Sequence, residues 1–294
     1  MASGDPVTRF HLQPVETRVG RVALVTIDNG ADWRKPNTFG AEALGSLAEV
    51  LDELESGDWR GLLVTGKPLV FAAGADITQF PGITPERARQ GGQAGHALFG
   101  RVRALPFPTL AAVNGAALGG GLELALHCDA RTLASNVRHL GFPEVFLGLF
   151  PAWGGTQLLP RLVGAEAAVK LIVDNPLRQN RLTRADEALA LGLVDQVLEP
   201  VEFVDDSLEL LVRTIESGAP DRADADLSDA ADVVRKARAR VDDAVHGQAP
   251  APYRALELIE GAARWSLEEG YTAEEDALAE LLPGDEAQAA IYAF

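Results

Sequence analysis

The stretch that most constrains this 294-residue chain runs from Val113 to Cys128, Val-Asn-Gly-Ala-Ala-Leu-Gly-Gly-Gly-Leu-Glu-Leu-Ala-Leu-His-Cys. An apolar β-type run, Thr109 to Val113, ends at Asn114-Gly115, and a helix-like pattern begins after a second glycine cluster, Gly119 to Gly121. Glycines at such a junction permit positive φ and let the main chain come within hydrogen-bonding range of a bound group. The first amides of a helix have no internal partners and attract negative charge. Glu123 lies one turn in, and a carboxylate in so apolar a run is costly to bury unless something pairs or uses it. A tight strand-to-helix packing turn would also account for the glycines, so this stretch alone leaves both readings open.

Two further stretches narrow the choice. Phe71-Ala72-Ala73-Gly74-Ala75-Asp76-Ile77 follows the strand-like run Gly61 to Thr65 and offers a second exposed main-chain amide, at Ala75. Gly141-Phe142-Pro143-Glu144, followed by Gly148-Leu149-Phe150-Pro151-Ala152-Trp153-Gly154-Gly155-Thr156-Gln157, supplies a second carboxylate in an apolar setting. Together the three resemble the AAGAD, NGxALGGGxE and PExxLGxxPxxGGTQ blocks of the crotonase (enoyl-CoA hydratase/isomerase) superfamily, in order and at about that family's spacing. The resemblance spans roughly residues 22 to 200 and implies an α/β fold, a crotonase-like spiral of ββα units.

Beyond that span, Pro250-Ala251-Pro252 with Ala255, Ile259-Glu260 and Ala262-Ala263-Arg264 resembles the helical linker after the hydratase half of the multifunctional fatty-acid-oxidation α-chain. The expected organisation is a catalytic domain over residues 1–217 and a helical extension over 218–294. No strand–GxGxxG–helix fingerprint occurs, so no hydroxyacyl-CoA dehydrogenase activity is expected. The chain reads as a stand-alone relative or as a piece of a longer protein.

Bulk properties set outer limits. The length allows a large core, and a hydrophobic content of 47% with 23% charged residues is ordinary for a globular protein. Lys+Arg 26 against Asp+Glu 43 gives a net charge of −17, which argues against nucleic acid or an anionic membrane as partner. Coenzyme A is itself a polyanion, so its attraction would have to come from local cations and amides against the overall field. The single cysteine, Cys128, reads as a buried thiol, and with no secretion pattern at the N-terminus a cytoplasmic location is expected. Leu105 to Leu126 is apolar enough to raise the question of a membrane span, but Pro106, Pro108, its glycines and Glu123 argue against one.

The remaining chain reads as alternating elements. Arg21 to Asp28 is a strand that starts the domain, and Phe39 to Leu54 places Leu44, Leu47, Leu51 and Leu54 on one helical face. Thr84-Pro85 opens a helix, but Arg87 to Gly100, interrupted by Gly91, Gly92 and Gly95, reads as a mobile cover with His96 on its surface. Trp153 to Val163 and Ala165 to Val173 look helical, and Thr183 to Asp186 reads as a capping signature before Ala185 to Leu191. Leu193 to Leu198 is a short strand, and Val204 to Ile215 an amphipathic helix. The acidic stretch Ser217 to Ser228 marks the domain boundary. Leu227 to Val245 and Tyr253 to Leu267 are helical, the basic cluster Arg235 to Arg240 being a solvated face or a phosphate contact. The apolar end, Ala287 to Phe294, suggests a docked tail or a longer chain.

By resemblance, the amides of Ala75 and Gly120 form an oxyanion hole for a thioester becoming an enolate, and Glu123 and Glu144 form the acid–base pair. Two carboxyls in an apolar pocket can divide such work when their pKa values are pushed apart. Glu144 is expected to deliver the proton to Cα and Glu123 to orient and partly activate water, with sharing of both duties between them as the alternative. Ala73, Ala75, Asp76, Ile77, Thr78 and Gly120 would line the path of the substrate. No metal is implied, and no cofactor apart from the coenzyme A of the substrate. Two departures from the family pattern stand out: where glycine commonly follows Pro151, Ala152 and the bulky Trp153 stand before Gly154, which bears on acyl length, and Lys67 is set too far upstream of Phe71 for the usual spacing.

The expected activity is reversible syn hydration of trans-2-enoyl-CoA to 3-hydroxyacyl-CoA in fatty acid β-oxidation. The alternatives are a 3-enoyl to 2-enoyl-CoA isomerase or other enolate-forming crotonase, and an inactive scaffold binding acyl-CoA or a partner. A hydrolytic member using Asp76 and His96 fits poorly, because Glu occupies position 144. Partners would be the acyl-CoA thioester and either further copies of the chain or a β-oxidation complex subunit.

Overall fold

A computed structural model describes residues 6–218 and 224–293. The proposed domain boundary, with the start of the helical extension, falls partly on residues 219–223, which lie outside the described residues, as do the first five residues and Phe294.

The chain winds through two sheets. The larger is ordered β1-β2-β3-β5-β7-β9, with β1 (Arg9–Thr17) antiparallel to β2 (Gly20–Asp28). The rest of it is parallel, through β3 (Gly61–Gly66), β5 (Thr109–Val113), β7 (Ala130–Ala134) and β9 (Gln196–Leu198). The smaller is a parallel sheet of β4 (Leu69–Ala72), β6 (Gly115–Leu118) and β8 (Leu140–Gly141), with β6 central. From β3 onward three successive turns, β3-β4, β5-β6 and β7-β8, each give one strand to each sheet before a helix, which is the crotonase-like ββα arrangement, whereas β1 and β2 both belong to the larger sheet.

The crossing from one sheet to the other explains two glycines. A Cβ on Gly66 would run into the backbone of Val70 and Phe71, and one on Gly115 into that of Leu69 and Val70. Asn114 holds the corner, donating from Nδ2 to Gly66 O at 2.7 Å and Lys67 O at 3.0 Å while accepting from Gly66 N at 3.2 Å.

The helices are α1 (Ala41–Ser56), α2 (Pro85–Arg103), α3 (Gly120–Leu126), α4 (Gly155–Val163) and α5 (Ala165–Val169), which continues through a π-turn (Lys170–Asp174) into α6 (Asn175–Leu177). After them come α7 (Ala185–Ala190), α8 (Phe203–Ser217), α9 (Ala230–Val245), α10 (Pro250–Gly261), α11 (Leu267–Leu281) and α12 (Asp285–Ala293). Helix α8 packs on β3 and β5, α10 on α4, α11 on α2 and α4, and α12 on the short 3-10 turn Glu144–Leu147. Among the described residues no helix is long and apolar enough to cross a membrane.

Several readings of the sequence need correction. The domain begins with β1, whose Pro14 obscured a strand signal and is tolerated because β1 is an edge strand. The segment from Arg87 to Gly100 is no mobile cover but the body of a 19-residue helix, capped by Thr84 and with Pro85 in its first turn. Its glycines are packing positions. A Cβ on Gly92 would lie 3.4 Å from Glu275 and Leu278 of α11, and one on Gly95 would overlap the Trp153 ring. His96 is therefore buried, at 6% exposure, instead of lying on a surface. Thr183 caps nothing: Arg184 is the N-cap of α7, with no side-chain cap, while Thr183 N bonds to Leu140 O at 2.7 Å.

Candidate active site

The three strands of the small sheet run parallel, so their C-terminal ends stand side by side, and the loops leaving them carry the three sequence blocks. Ligand crevices commonly form at such strand ends. Here the loops Ala73–Ala75, Gly119–Gly120 and Pro143–Glu144 border one cavity of about 130 Å³, closed elsewhere by apolar side chains including Phe80, Ile83, Leu149, Trp153, Leu278 and Leu282. Arg87 is the one cation among its lining residues.

The first loop is laced from one side. Ala73 N donates to Asn37 O at 2.8 Å, Phe39 N to Gly74 O at 2.8 Å, and Asp76 N to Phe39 O at 3.2 Å. Buried Asn37 is fixed in turn by donating to Ile27 O at 2.8 Å and Phe71 O at 3.1 Å. This lacing uses the amides of residues 73 and 76 and leaves that of Ala75 without an acceptor among the described residues. Gly120 opens α3, so its amide has no intrahelical acceptor either. The two loops touch: a Cβ on Gly74 would lie 2.9 Å from Gly120 N.

Glu123, at 2% exposure, faces the cavity from α3. Its Oε1 accepts Trp153 N at 2.7 Å and Gly155 N at 2.8 Å. Glu144 opens the 3-10 turn on the opposite loop, and its Oε2 is buried without a hydrogen-bond partner. Gly119, at φ 49° and ψ −126°, is in a region that L side chains avoid, and a Cβ there would overlap the Glu144 carboxyl. The glycine is thus required both by its backbone and by the carboxyl beside it.

Burial is the main cause that raises both carboxyls above the ordinary range, Glu144 to about 8. For Glu123, repulsion from Glu144 and Glu274 adds to it, while the two amide bonds oppose it. Both pKa values being raised, the pair retains a proton near neutral pH.

Of the residues singled out in the sequence, Ala73, Ala75, Ile77, Gly120, Glu123 and Glu144 all border this cavity. Asp76 and Thr78 do not. Asp76 caps the short turn Ile77–Gln79, accepting Thr78 N at 3.1 Å, Thr78 Oγ1 at 2.6 Å and Gln79 Nε2 at 2.9 Å. Cys128 is buried, and its thiol is pushed up to about 12 by that burial, so it stays protonated. Lys67 is a structural staple, buried with Nζ on the oxygens of Asn29, Ala31, Asp32 and Lys35. In the basic cluster of α9, Arg235, Arg238 and Arg240 pair with Asp232, Glu257 and Asp174.

Sequence reading missed the contribution of α11, whose Leu278 and Leu282, just past its end, close the cavity. Trp153 does reach the cavity, as its size suggested. Its Nε1 donates to Gly91 O at 3.0 Å, and its ring meets Phe99 edge-on at 5.4 Å.

The sequence profile of the enoyl-CoA hydratase/isomerase family matches residues 18–293, through the C-terminal helices as well as the spiral. The chain belongs to that family. Among solved structures it is similar to Pseudomonas aeruginosa DspI, at 30% identity over 85% of this chain and 92% of the other, TM-score 0.63. It is also similar to human mitochondrial delta3-delta2-enoyl-CoA isomerase, at 25% identity over 97% and 96%, TM-score 0.68. An enoyl-CoA hydratase from Bacillus anthracis matches at 26% identity over 92% and 89%, TM-score 0.61. Hydratases and an isomerase thus stand side by side among its relatives.

Proposed function

We propose that this protein is an enoyl-CoA hydratase acting on trans-2-enoyl-CoA thioesters in fatty acid β-oxidation. The observation that carries the reading is the placement of two carboxyls, Glu123 and Glu144, on different walls of one apolar cavity beside two amides that no acceptor among the described residues uses. The Ala75 and Gly120 amides would bind the thioester oxygen and stabilise the charge that gathers there as the enolate forms. Glu123, its Oε1 held by two N–H groups, would take a proton from water as the water oxygen bonds to Cβ. Glu144 would give its proton to Cα, and transfer between the two carboxyls would restore the starting state. The substrate carries its own coenzyme, so no further cofactor enters these steps. The helices of residues 224–293 would serve as an extension that closes part of the site, through Leu278 and Leu282.

A second reading, 3-enoyl to 2-enoyl-CoA isomerisation, is favoured by the partnerless oxygen of Glu144, since one carboxyl can carry a proton between two carbons of a bound chain. The two are separated with Glu123→Gln, assayed on crotonyl-CoA and on a 3-enoyl-CoA. Hydration should fall by about a thousandfold, within the range for loss of a general base, while isomerisation partly survives. Undiminished hydration would overturn the assignment.

A further inference from the structure

The turn that holds Glu123 is gripped from its other side as well. Four successive amides, at Trp153, Gly154, Gly155 and Thr156, alternate between two buried carboxylates. Those of Trp153 and Gly155 donate to Glu123 Oε1, at 2.7 and 2.8 Å. Those of Gly154 and Thr156 donate to Glu274, at 2.8 Å to Oε2 and 3.0 Å to Oε1. The left-handed conformation of Gly154, φ 100°, aims neighbouring amides in opposite directions, a backbone arrangement suited to binding anions.

Glu274 belongs to α11, far along the chain, and is fully buried at 0% exposure. It also accepts Thr156 Oγ1 at 2.5 Å and bonds His96 Nε2 at 2.8 Å. His96 in turn bonds Glu275 Oε1 through Nδ1 at 3.0 Å and stacks on Tyr271, ring centroids 4.3 Å apart. Burial works against a charge on His96, but the hydrogen bonds and charges of Glu274 and Glu275 outweigh it and hold its pKa above the ordinary value. The neighbouring His127 stays neutral, pushed down to about 3 by burial, with Nδ1 on Glu123 O at 2.9 Å and Tyr271 Oη 3.4 Å from Nε2. When it carries a proton, His96 offsets the charge of Glu274, whose repulsion raises the pKa of Glu123.

We propose that Glu274, balanced by His96, is a positioning residue for Glu123: it fixes the shared turn so that two amides stay trained on Oε1 of the reacting carboxylate. This rests on the reading of Glu123 as the residue that activates water. It makes α11 a working part of the site, acting through hydrogen bonds and without touching substrate.

The test is a double-mutant cycle on the full chain, with crotonyl-CoA hydration as readout. Glu274→Gln keeps the size but cannot accept every donor. It should lower kcat by about 10- to 100-fold, the scale expected when a supporting hydrogen bond or a positioned group is lost, with KM changed less than about twofold. In a Glu123→Gln background the same substitution should cost almost nothing further, since it acts through the residue already removed. A merely structural role would instead give the same loss in both backgrounds, overturning the proposal. Thr156→Val, which removes one hydroxyl bond to Glu274 and leaves the amide, should lower kcat by about threefold and provides the cycle if Glu274→Gln does not fold. Wild-type protein without turnover would sink the reading of function. Wild-type turnover with Glu274→Gln and Thr156→Val at full kcat would sink only this inference.

Discussion

The two carboxyls of the cavity are held in opposite ways. Glu123 sits on a helix, its Oε1 tied to two amides of a turn that a second buried carboxylate also grips. Glu144 stands on a short 3-10 turn with one oxygen lacking any partner. Amide donors favour a charge, and an apolar wall with no donor favours a proton. On the proposed mechanism, chemically identical side chains would be set apart as base and acid by their surroundings, two amides of a neighbouring turn on Glu123 Oε1 against a buried, unpartnered Oε2 on Glu144.

The largest test of that contrast is Glu144→Gln beside Glu123→Gln. If the proton for Cα comes from Glu144 alone, Glu144→Gln should lower both hydration and isomerisation by about a thousandfold or more, whereas Glu123→Gln spares part of the isomerisation. Equal losses in both reactions for both variants would erase the distinction between the two carboxyls. A smaller effect is expected from Gly119→Ala. The new methyl would occupy the place of the Glu144 carboxyl on a backbone already at φ 49°, so kcat should fall about 10- to 100-fold, as for a displaced catalytic group. Crystallography of that variant should find Glu144 moved and Glu123 in place.

The smallest effect sharpens the comparison through pH. Glu144 keeps its proton to about 8 in the folded protein, while a carboxyl in the unfolded chain ionises near 4.3. Between those values the folded state binds more protons, so this group's contribution to stability declines as pH rises through that window. Hydration should accordingly fall above about pH 8, as the acid is lost. Glu144→Gln, which cannot ionise, should melt a few degrees higher than wild type at pH 9, about 1 kcal/mol being worth 2–4 °C in a chain of this size, and no higher at pH 4. A melting difference independent of pH would show that Glu144 is not the buried acid of the pair.

Much of this architecture can be read in the sequence, and the gaps have physical causes. Strands β3 and β5 are continuous buried runs, and α1 repeats leucines at helical spacing, so both stand out from composition alone. The small sheet does not, because β4, β6 and β8 are too short to display a two-residue period, although they aim all three site loops. The body of helix α2 does not stand out in the sequence because glycine lowers helix propensity, whereas at Gly92 and Gly95 it admits α11 and Trp153. The motif blocks bring Glu123, Glu144, Ala75 and Gly120 together by their wording. Glu274 carries no such signal, since its role depends on α11 folding back over a turn more than a hundred residues earlier. Asp76 shows the converse: a residue inside a motif block whose side chain caps its own turn.

The central claim is that the Ala75 and Gly120 amides converge on a thioester oxygen, and vibrational spectroscopy addresses it without relying on turnover. Crotonyl-CoA labelled with ¹³C at the thioester carbon would be bound to Glu144→Gln, in which it persists, and its carbonyl stretching band compared with that of free substrate in water. Two strong donors at that oxygen should move the band to lower wavenumber than water does. A band at or above its position in water would mean that these amides do not hold the thioester, and the proposed chemistry would fall with them.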